Sequence, residues 1–198
     1  NSSLALIRSE MFPGAQSTLK AVVLGDAVTS IGGSAFSGCS SLASVMIPNS
    51  VTSVGNSAFD GCSNLLKCSV AGDIDSGGSF TVPQSWTHIE AFTFYKCQAL
   101  KSVVIPSTIK SIRWQAFYSN SNLASVTIPD SVTSIRSTAF SGCPISTLVY
   151  NSSLALIRSE MFPGAQSTLK SVVLGDAVTS MGSSAFSGCS SLTSVMIT

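Results

Sequence analysis

The chain has 198 residues, 44% of them hydrophobic, enough for one sizeable core. Ten basic and nine acidic residues leave a net charge of +1, which argues against the basic footprint of a nucleic-acid binder and against a polybasic membrane patch. Aliphatic runs such as Ala21-Val22-Val23-Leu24 fall far short of the about 20 residues that span a bilayer, and one histidine, His88, leaves little material for histidine catalysis or metal binding.

In chain order the sequence is a repeat array. Residues 1–18 read as the tail of a coil. Complete coils follow at 19–41, 42–64, 65–99, 100–122, 123–144, 145–168 and 169–191, and 192–198 is the head of another. In 42–64, LASVMIPNSVTSVGNSAFDGCSN, apolar residues fall at offsets 0, 3, 5, 9, 12 and 17: Leu42, Val45, Ile47, Val51, Val54 and Phe59. Residues 100–122 place Leu100, Val103, Ile105, Ile109, Ile112 and Phe117 at the same offsets. Offset 17 holds Phe12, Phe36, Phe59, Phe94, Phe117, Phe140, Phe162 and Phe186, eight of the ten phenylalanines.

The spacing predicts the form of one coil. Val45-x-Ile47 has strand periodicity and Pro48, with no N–H, closes it. Ser50 to Val54 reads as a second extended stretch. Gly55 allows a bend, Ser57-Ala58-Phe59 reads as a short helical turn, and Gly61-Cys62-Ser63 is a corner. One coil has about six large apolar side chains, worth roughly 1.5–3 kcal/mol each when buried. Ordering its residues costs roughly 1.5 kcal/mol apiece. Neighbours must therefore cover both open faces, which gives a quasi-one-dimensional solenoid with a parallel strand ladder.

The pattern L-x-x-V-x-I-P-x-S-V-T-S-I-G-x-x-A-F-x-G-C-S-S resembles the leucine-rich repeats of the BspA-like (Treponema pallidum-type) class over essentially the whole chain. The resemblance implies a leucine-rich-repeat solenoid in a single continuous domain, 1–198. It also implies a surface or extracellular protein used in adhesion and partner binding. The commoner leucine-rich consensus carries Asn or Cys eight residues after its first Leu. Ser50, Thr108 or Ser131 stands there, so no asparagine ladder is assumed.

Residues 1–48 match 151–198 at 43 of 48 positions, differing at Ala21/Ser171, Ile31/Met181, Gly33/Ser183, Ala43/Thr193 and Pro48/Thr198. This is a superperiod of 150 residues, roughly 30 Å at strand spacing. The chain starts and stops inside a coil without a capping repeat. It reads as an excerpt of a longer array, or as a unit whose open ends stack head to tail on copies of itself into a filament. Asn1-Ser2-Ser3 and Asn151-Ser152-Ser153 fit the N-glycosylation sequon, so Asn1 and Asn151 are candidate acceptors.

Five cysteines, Cys39, Cys62, Cys97, Cys143 and Cys189, hold offset 20, where other coils have Ala15, Asn120 and Ala165. Inward free thiols are favoured over disulfides between successive coils, and no spacing fits zinc. Cys68 takes the inward strand place of Val45. The coil 65–99 is 12 residues longer than the standard 23, with the extra material near 71–79. That segment reads as a loop on one face. Asp73-x-Asp75 with Gly78 resembles the opening of a calcium loop, but Gln84 stands where the closing Glu belongs, so an EF-hand is rejected and no metal is assigned. Around the insertion, Trp86 takes a core offset and His88 a surface one. Trp114 sits where other coils have Gly, Asn or Ser, and Tyr95 and Tyr118 share offset 18 in neighbouring coils. Glu90, Arg113, Arg136 and Arg158 follow one another at offset 13. Glu90 is placed to pair with Arg113, and Glu160 to reach Arg158. The row suits an anionic group on a glycan, or is a solvated edge. Between the inward strand places stand Val23, Met46, Ser69, Val104, Thr127, Val149, Val173 and Met196, a mostly apolar row expected to face solvent.

No nucleophile–base pair, phosphate-cradling loop or acid pair suited to catalysis is present. The expectation is a non-enzymatic scaffold without cofactor that binds a protein or glycan. The candidate partner-binding residues are Trp114, Tyr95, Tyr118, Arg113, Arg136, Arg158, Asp73 and Asp75. The alternative is a structural filament subunit.

Overall fold

Short strands recur wherever the Val-x-Ile or Ser-Ile pattern recurs. The computed structural model describes residues 6–7, 14–69, 79–154, 162–182 and 185–198, and the side chains at 6–7 and 67–69 lie outside that description. In chain order the strands are β1 (Leu6–Ile7), β2 (Ala21–Val23), β3 (Ser30–Ile31), β4 (Ser44–Met46), β5 (Ser53–Val54), β6 (Lys67–Ser69), β7 (Ser79–Thr81) and β8 (His88–Ile89). They continue with β9 (Ser102–Val104), β10 (Ser111–Ile112), β11 (Ser125–Ile128), β12 (Ser134–Ile135), β13 (Thr147–Tyr150), β14 (Ser171–Leu174) and β15 (Ser194–Ile197).

All pairings are parallel, and they join equal offsets of successive coils. On the principal face β2-β4-β6 form one sheet and β7-β9-β11-β13-β14-β15 another, with Val103, Val126, Leu148 and Val172 in one register row. A second face carries β1-β3-β5 and β8-β10-β12. The result is a leucine-rich-repeat solenoid of about 23 residues per turn. The second extended stretch is shorter than expected: of 50–54 only Ser53–Val54 is strand. Offsets 3, 5, 9 and 12 point inward: Val45, Ile47, Val51, Val103, Ile109 and Ile112 are buried.

The expected helical turn at Ser57-Ala58-Phe59 is not a helix. Ser34, Ser57, Phe92, Gln115 and Thr138, all at offset 15, have positive φ, as do Gly38, Gly61, Lys96, Ser119, Gly142 and Gly164 at offset 19. These left-handed residues turn alternate N–H groups along the solenoid axis. Ser34 N–H donates to the Asn56 carbonyl at 2.9 Å, Phe36 to Ala58 at 2.8 Å and Gly38 to Asp60 at 2.7 Å. The intervening N–H groups close tight turns within the coil, as Ser37 to Ser34 and Cys39 to Phe36, both 3.1 Å. An α-helix would keep all of these donors inside one coil. Here half of them tie one coil to the next, which satisfies the backbone of a corner that burial removes from water.

These turns hold the phenylalanines face to face. Phe36–Phe59, Phe59–Phe94, Phe94–Phe117, Phe117–Phe140 and Phe140–Phe162 stack with centroids 5.4, 5.8, 5.2, 5.1 and 5.2 Å apart. Phe186 packs partly buried against the same core, and Phe12 lies outside the described residues. Stacking adds about 0.5–1.5 kcal/mol per pair beyond area burial.

The expected loop near 71–79 lies, but for Ser79, outside the described residues; what the long coil shows around it is an additional strand. This coil contributes two strands, β6 and β7, to the principal face but only β8 to the second face. Cys68 aligns with Val45 in β4, and Phe80 with Val103 in β9. The corner closes directly across the extra strand, because Phe59 N–H reaches Thr93 at 3.0 Å and Ala99 N–H reaches Ser63 at 3.0 Å. One face thus carries a rung that the other lacks. Aromatic bulk fills this coil: Phe80 meets Phe94 edge-on at 4.6 Å, and Trp86 stacks on it at 6.3 Å. Residues 70–78, with Asp73 and Asp75, lie outside the described residues.

The serine-rich composition has a structural use. Short hydroxyls reach carbonyls of the preceding coil: Ser50 to Val28 (2.7 Å), Ser85 to Val51 (2.6 Å), Ser131 to Ile109 (2.8 Å) and Ser152 to Val132 (2.6 Å). In this hydroxyl ladder Ser50, Ser85 and Ser131 stand where the commoner repeats carry asparagine, and Ser152, one place earlier in its coil, makes the equivalent bond. A second ladder runs through offset 20. The Cys62, Cys97 and Cys143 thiols donate to the carbonyls of Phe36, Phe59 and Phe117 at 3.1, 3.1 and 3.0 Å. Asn120 joins this row by giving its amide to Phe94 (2.9 Å) and Phe117 (2.6 Å).

The five described thiols, Cys39, Cys62, Cys97, Cys143 and Cys189, are free, and all but half-buried Cys189 are buried. Burial pushes Cys143 up to about 12 and raises Cys62 and Cys97 as well. A thiol whose folded value is raised supports the fold while it stays neutral. That contribution is complete below the ordinary thiol value of about 8.5 and is lost as pH climbs towards the folded value. Stability should therefore fall between about pH 9 and 12, and Cys143→Ala should flatten the fall in urea titrations at each pH. Native protein should leave these thiols unalkylated by iodoacetamide at pH 8 until denaturant is added; rapid native labelling of Cys62 and Cys97 would contradict the ladder.

Candidate functional site: an aromatic and arginine groove

The second face changes character along the axis. In coils 19–41 and 42–64 offset 13 is Gly32 and Gly55, and the backbones approach closely: a Cβ on Gly55 would collide with the backbone nitrogen of Gly33. In the next three coils Glu90, Arg113 and Arg136 take that place. Between these side chains and Trp114 lies a groove of about 760 Å³, lined by Phe92, Ser111, Arg113, Trp114, Ser134 and Arg136. Its frame is β8-β10-β12, in which Ser111 pairs with His88 on one side and Ser134 on the other.

Glu90 and Arg113 form the expected ion pair at 2.9 Å, the arginine half exposed and the glutamate less so. Arg136 has no carboxylate within ion-pair distance among the described residues. Trp114 is 58% exposed, although its neighbour Phe117 is fully buried. His88 lies on the surface with Nδ1 2.8 Å from the Ser111 hydroxyl. Trp86 is core, as its offset implies.

Tyr95 and Tyr118 stack at 5.2 Å and 7°. Phe92 contacts Tyr95 at 5.9 Å and the Lys96 ammonium lies 5.1 Å from the Tyr95 ring. Phe92 therefore links the groove to the tyrosine pair. Phe92 is not among the residues singled out from the sequence; the available signal is that every other coil has a polar residue at this offset, such as Ser34, Ser57, Gln115 or Thr138. Its positive φ of 59° is demanded by the turn ladder, in which its N–H reaches the Trp114 carbonyl at 3.1 Å.

The remaining candidates are not brought together with these. Arg158, Glu160, Asp73, Asp75 and Asn1 lie outside the described residues. Asn151 is half-buried with its amide oxygen against Gly175, and the adjacent Ser152 is buried. Of the apolar outer row, Val23, Val104 and Met196 are exposed, and Met46, Thr127, Val149 and Val173 are half-buried. The side chain of Ser69 is outside the description. Among the described residues there is no cluster of three or more His, Cys, Asp or Glu that could hold a metal ion, and no helix long and apolar enough to cross a membrane.

The sequence profile described as BspA type Leucine rich repeat region matches residues 5–81 and 87–198 in six copies. Among solved structures, the chain is similar to a leucine-rich repeat protein of T. pallidum at 25% identity and a TM-score of 0.59, covering 91% of this chain and 70% of that one. A leucine-rich cell surface protein from Faecalibacterium prausnitzii is 26% identical with a TM-score of 0.59, over 98% of this chain and 66% of that one. A leucine-rich repeat protein from Bacteroides ovatus, 24% identical, shares the fold at a TM-score of 0.66, over 98% of this chain and 52% of that one. The chain thus spans between about half and 70% of the length of these relatives. No curated protein matches it.

Proposed function

Because the chain belongs to the BspA-type leucine-rich repeat family, whose repeats generally serve as protein-binding scaffolds, we propose that it is a non-enzymatic cell-surface or extracellular scaffold that holds a protein or glycan partner in the Trp114 groove. One observation carries this reading: an indole 58% exposed stands beside an arginine without a described counter-charge, on a frame of ladder-bonded strands. Exposed Trp and Arg are the residue types that dominate binding energy elsewhere. A ladder that fixes their backbones reduces the ordering cost of binding.

The double variant Trp114→Ala/Arg136→Ala should bind at least about tenfold less to a surface coated with extracellular-matrix material, a loss of roughly 1.4 kcal/mol. Its melting temperature should stay close to that of the wild type, since both side chains lie outside the core. Equal binding of wild type and variant in a surface-plasmon titration would refute the assignment.

The filament reading draws on a different feature. Residues 1–48 match residues 151–198 at 43 of 48 positions, so an array of such units would present equivalent surfaces once per 150 residues, as a regular assembly requires. Fibres with an axial repeat near ~30 Å in negative-stain images would favour assembly, and discrete particles would favour the scaffold.

A further inference from the structure

We infer that the groove is built for a carboxylate-bearing sugar, a uronate in a polysaccharide, lying along the solenoid axis. This deepens the binding-scaffold reading and rests on it. Three kinds of group meet there. Arg136 supplies a planar cation with no described carboxylate within reach, and Arg113 is anchored by Glu90 through one contact at 2.9 Å, leaving most of its five donors for another acceptor. Trp114 and Phe92 supply flat apolar surface of the kind a pyranose ring face covers. Ser111 and Ser134 supply hydroxyls on the same strand frame, Ser111 already oriented by His88.

A chain of acidic residues alone would use the cations but offers no ring to Trp114. A nucleic acid would stack on the ring, but the net charge of +1 offers little of the counterion-release term on which such binding depends. The succession Arg113, Arg136 advances one rung per coil, about 4.8 Å, so a polymer of charged rings meets a cation at each step instead of at a single point.

The test uses polygalacturonate oligomers against their fully methyl-esterified form, which keeps the rings and removes the charge, with poly-glutamate as the acidic chain without rings. Titration calorimetry on the intact chain should show binding of the uronate, weaker at higher salt, and at least about tenfold loss with Arg136→Gln and, separately, with Trp114→Ala. Both variants should melt like wild type. Equal binding of the methyl ester would overturn the role of the arginines, and equal binding of poly-glutamate would overturn the role of the ring. Absence of uronate binding, with matrix binding still lost in the double variant, would overturn the sugar assignment and leave the scaffold reading standing. If neither the uronate nor the matrix surface is bound, both fall.

Discussion

Phe117→Ala is expected to destabilise the chain by about 3–5 kcal/mol. Phe117 is completely buried and stacks on Phe94 and Phe140 on its two sides, so truncation removes a full ring from the core and two face contacts at once. The Cys143 thiol and the Asn120 amide both bond to the Phe117 carbonyl, so backbone movement into the cavity would loosen the offset-20 ladder as well. In a stack where each coil contacts only its neighbours, the damage spreads outward from the cavity. Urea denaturation should show a lower midpoint, together with a shallower slope if the two halves begin to unfold separately. A loss under about 1 kcal/mol would mean that the rings are not what joins successive coils.

Trp86→Ala should cost a similar about 3–5 kcal/mol, for a different reason. The long coil puts two strands on one face, and Trp86 with Phe80 fills the space around Phe94 that a valine or isoleucine fills in regular coils. The indole Nε1 of Trp86 is buried without a hydrogen-bond partner among the described residues. Trp86→Phe removes that stranded donor along with some volume. It should therefore cost much less than Trp86→Ala, under about 1.5 kcal/mol. Thermal melts of the two variants side by side check this; equal losses would show that Nε1 is satisfied in solution.

The inward positions were legible in the sequence because burial obeys the period: Val45, Ile47, Val51, Val54 and Phe59 repeat at the spacing of the coil, and side-chain type reports burial directly. The corner was not legible. Ser57-Ala58-Phe59 has no local feature that separates a helical turn from one whose alternate N–H groups leave the coil, since the deciding partner, Thr93, is 34 residues distant from Phe59. The hydroxyl ladder was hidden for the same reason, because Ser50 is an ordinary turn residue until Val28 is placed beneath it. The second strand in the long coil does have a local signal. Lys67-Cys68-Ser69 and Ser79-Phe80-Thr81 both have a strand's polar-apolar-polar alternation, and both register with inward positions of neighbouring coils.

For the groove, Trp114, Arg113 and the tyrosine pair stood out as departures from the repeat. Such departures mark where a residue is free of the packing rule that governs its equivalents. Phe92 departs in the same way, but an aromatic beside Phe94 is easily taken for part of the core. Its exposure to the groove depends on the left-handed backbone at that offset, which side-chain periodicity does not record.

The unequal number of strands on the two faces has a geometric consequence. Where β6 and β7 both occupy the principal face, with only β8 to answer them, that face is longer by one strand spacing, about 4.8 Å, than the corner, where Phe59 and Phe94 stack directly; a difference of this kind favours a bend. An array repeating this unit every 150 residues would take the same turn at each recurrence and trace a spiral. Grooves such as the one at Trp114 would then face outward in regularly changing directions.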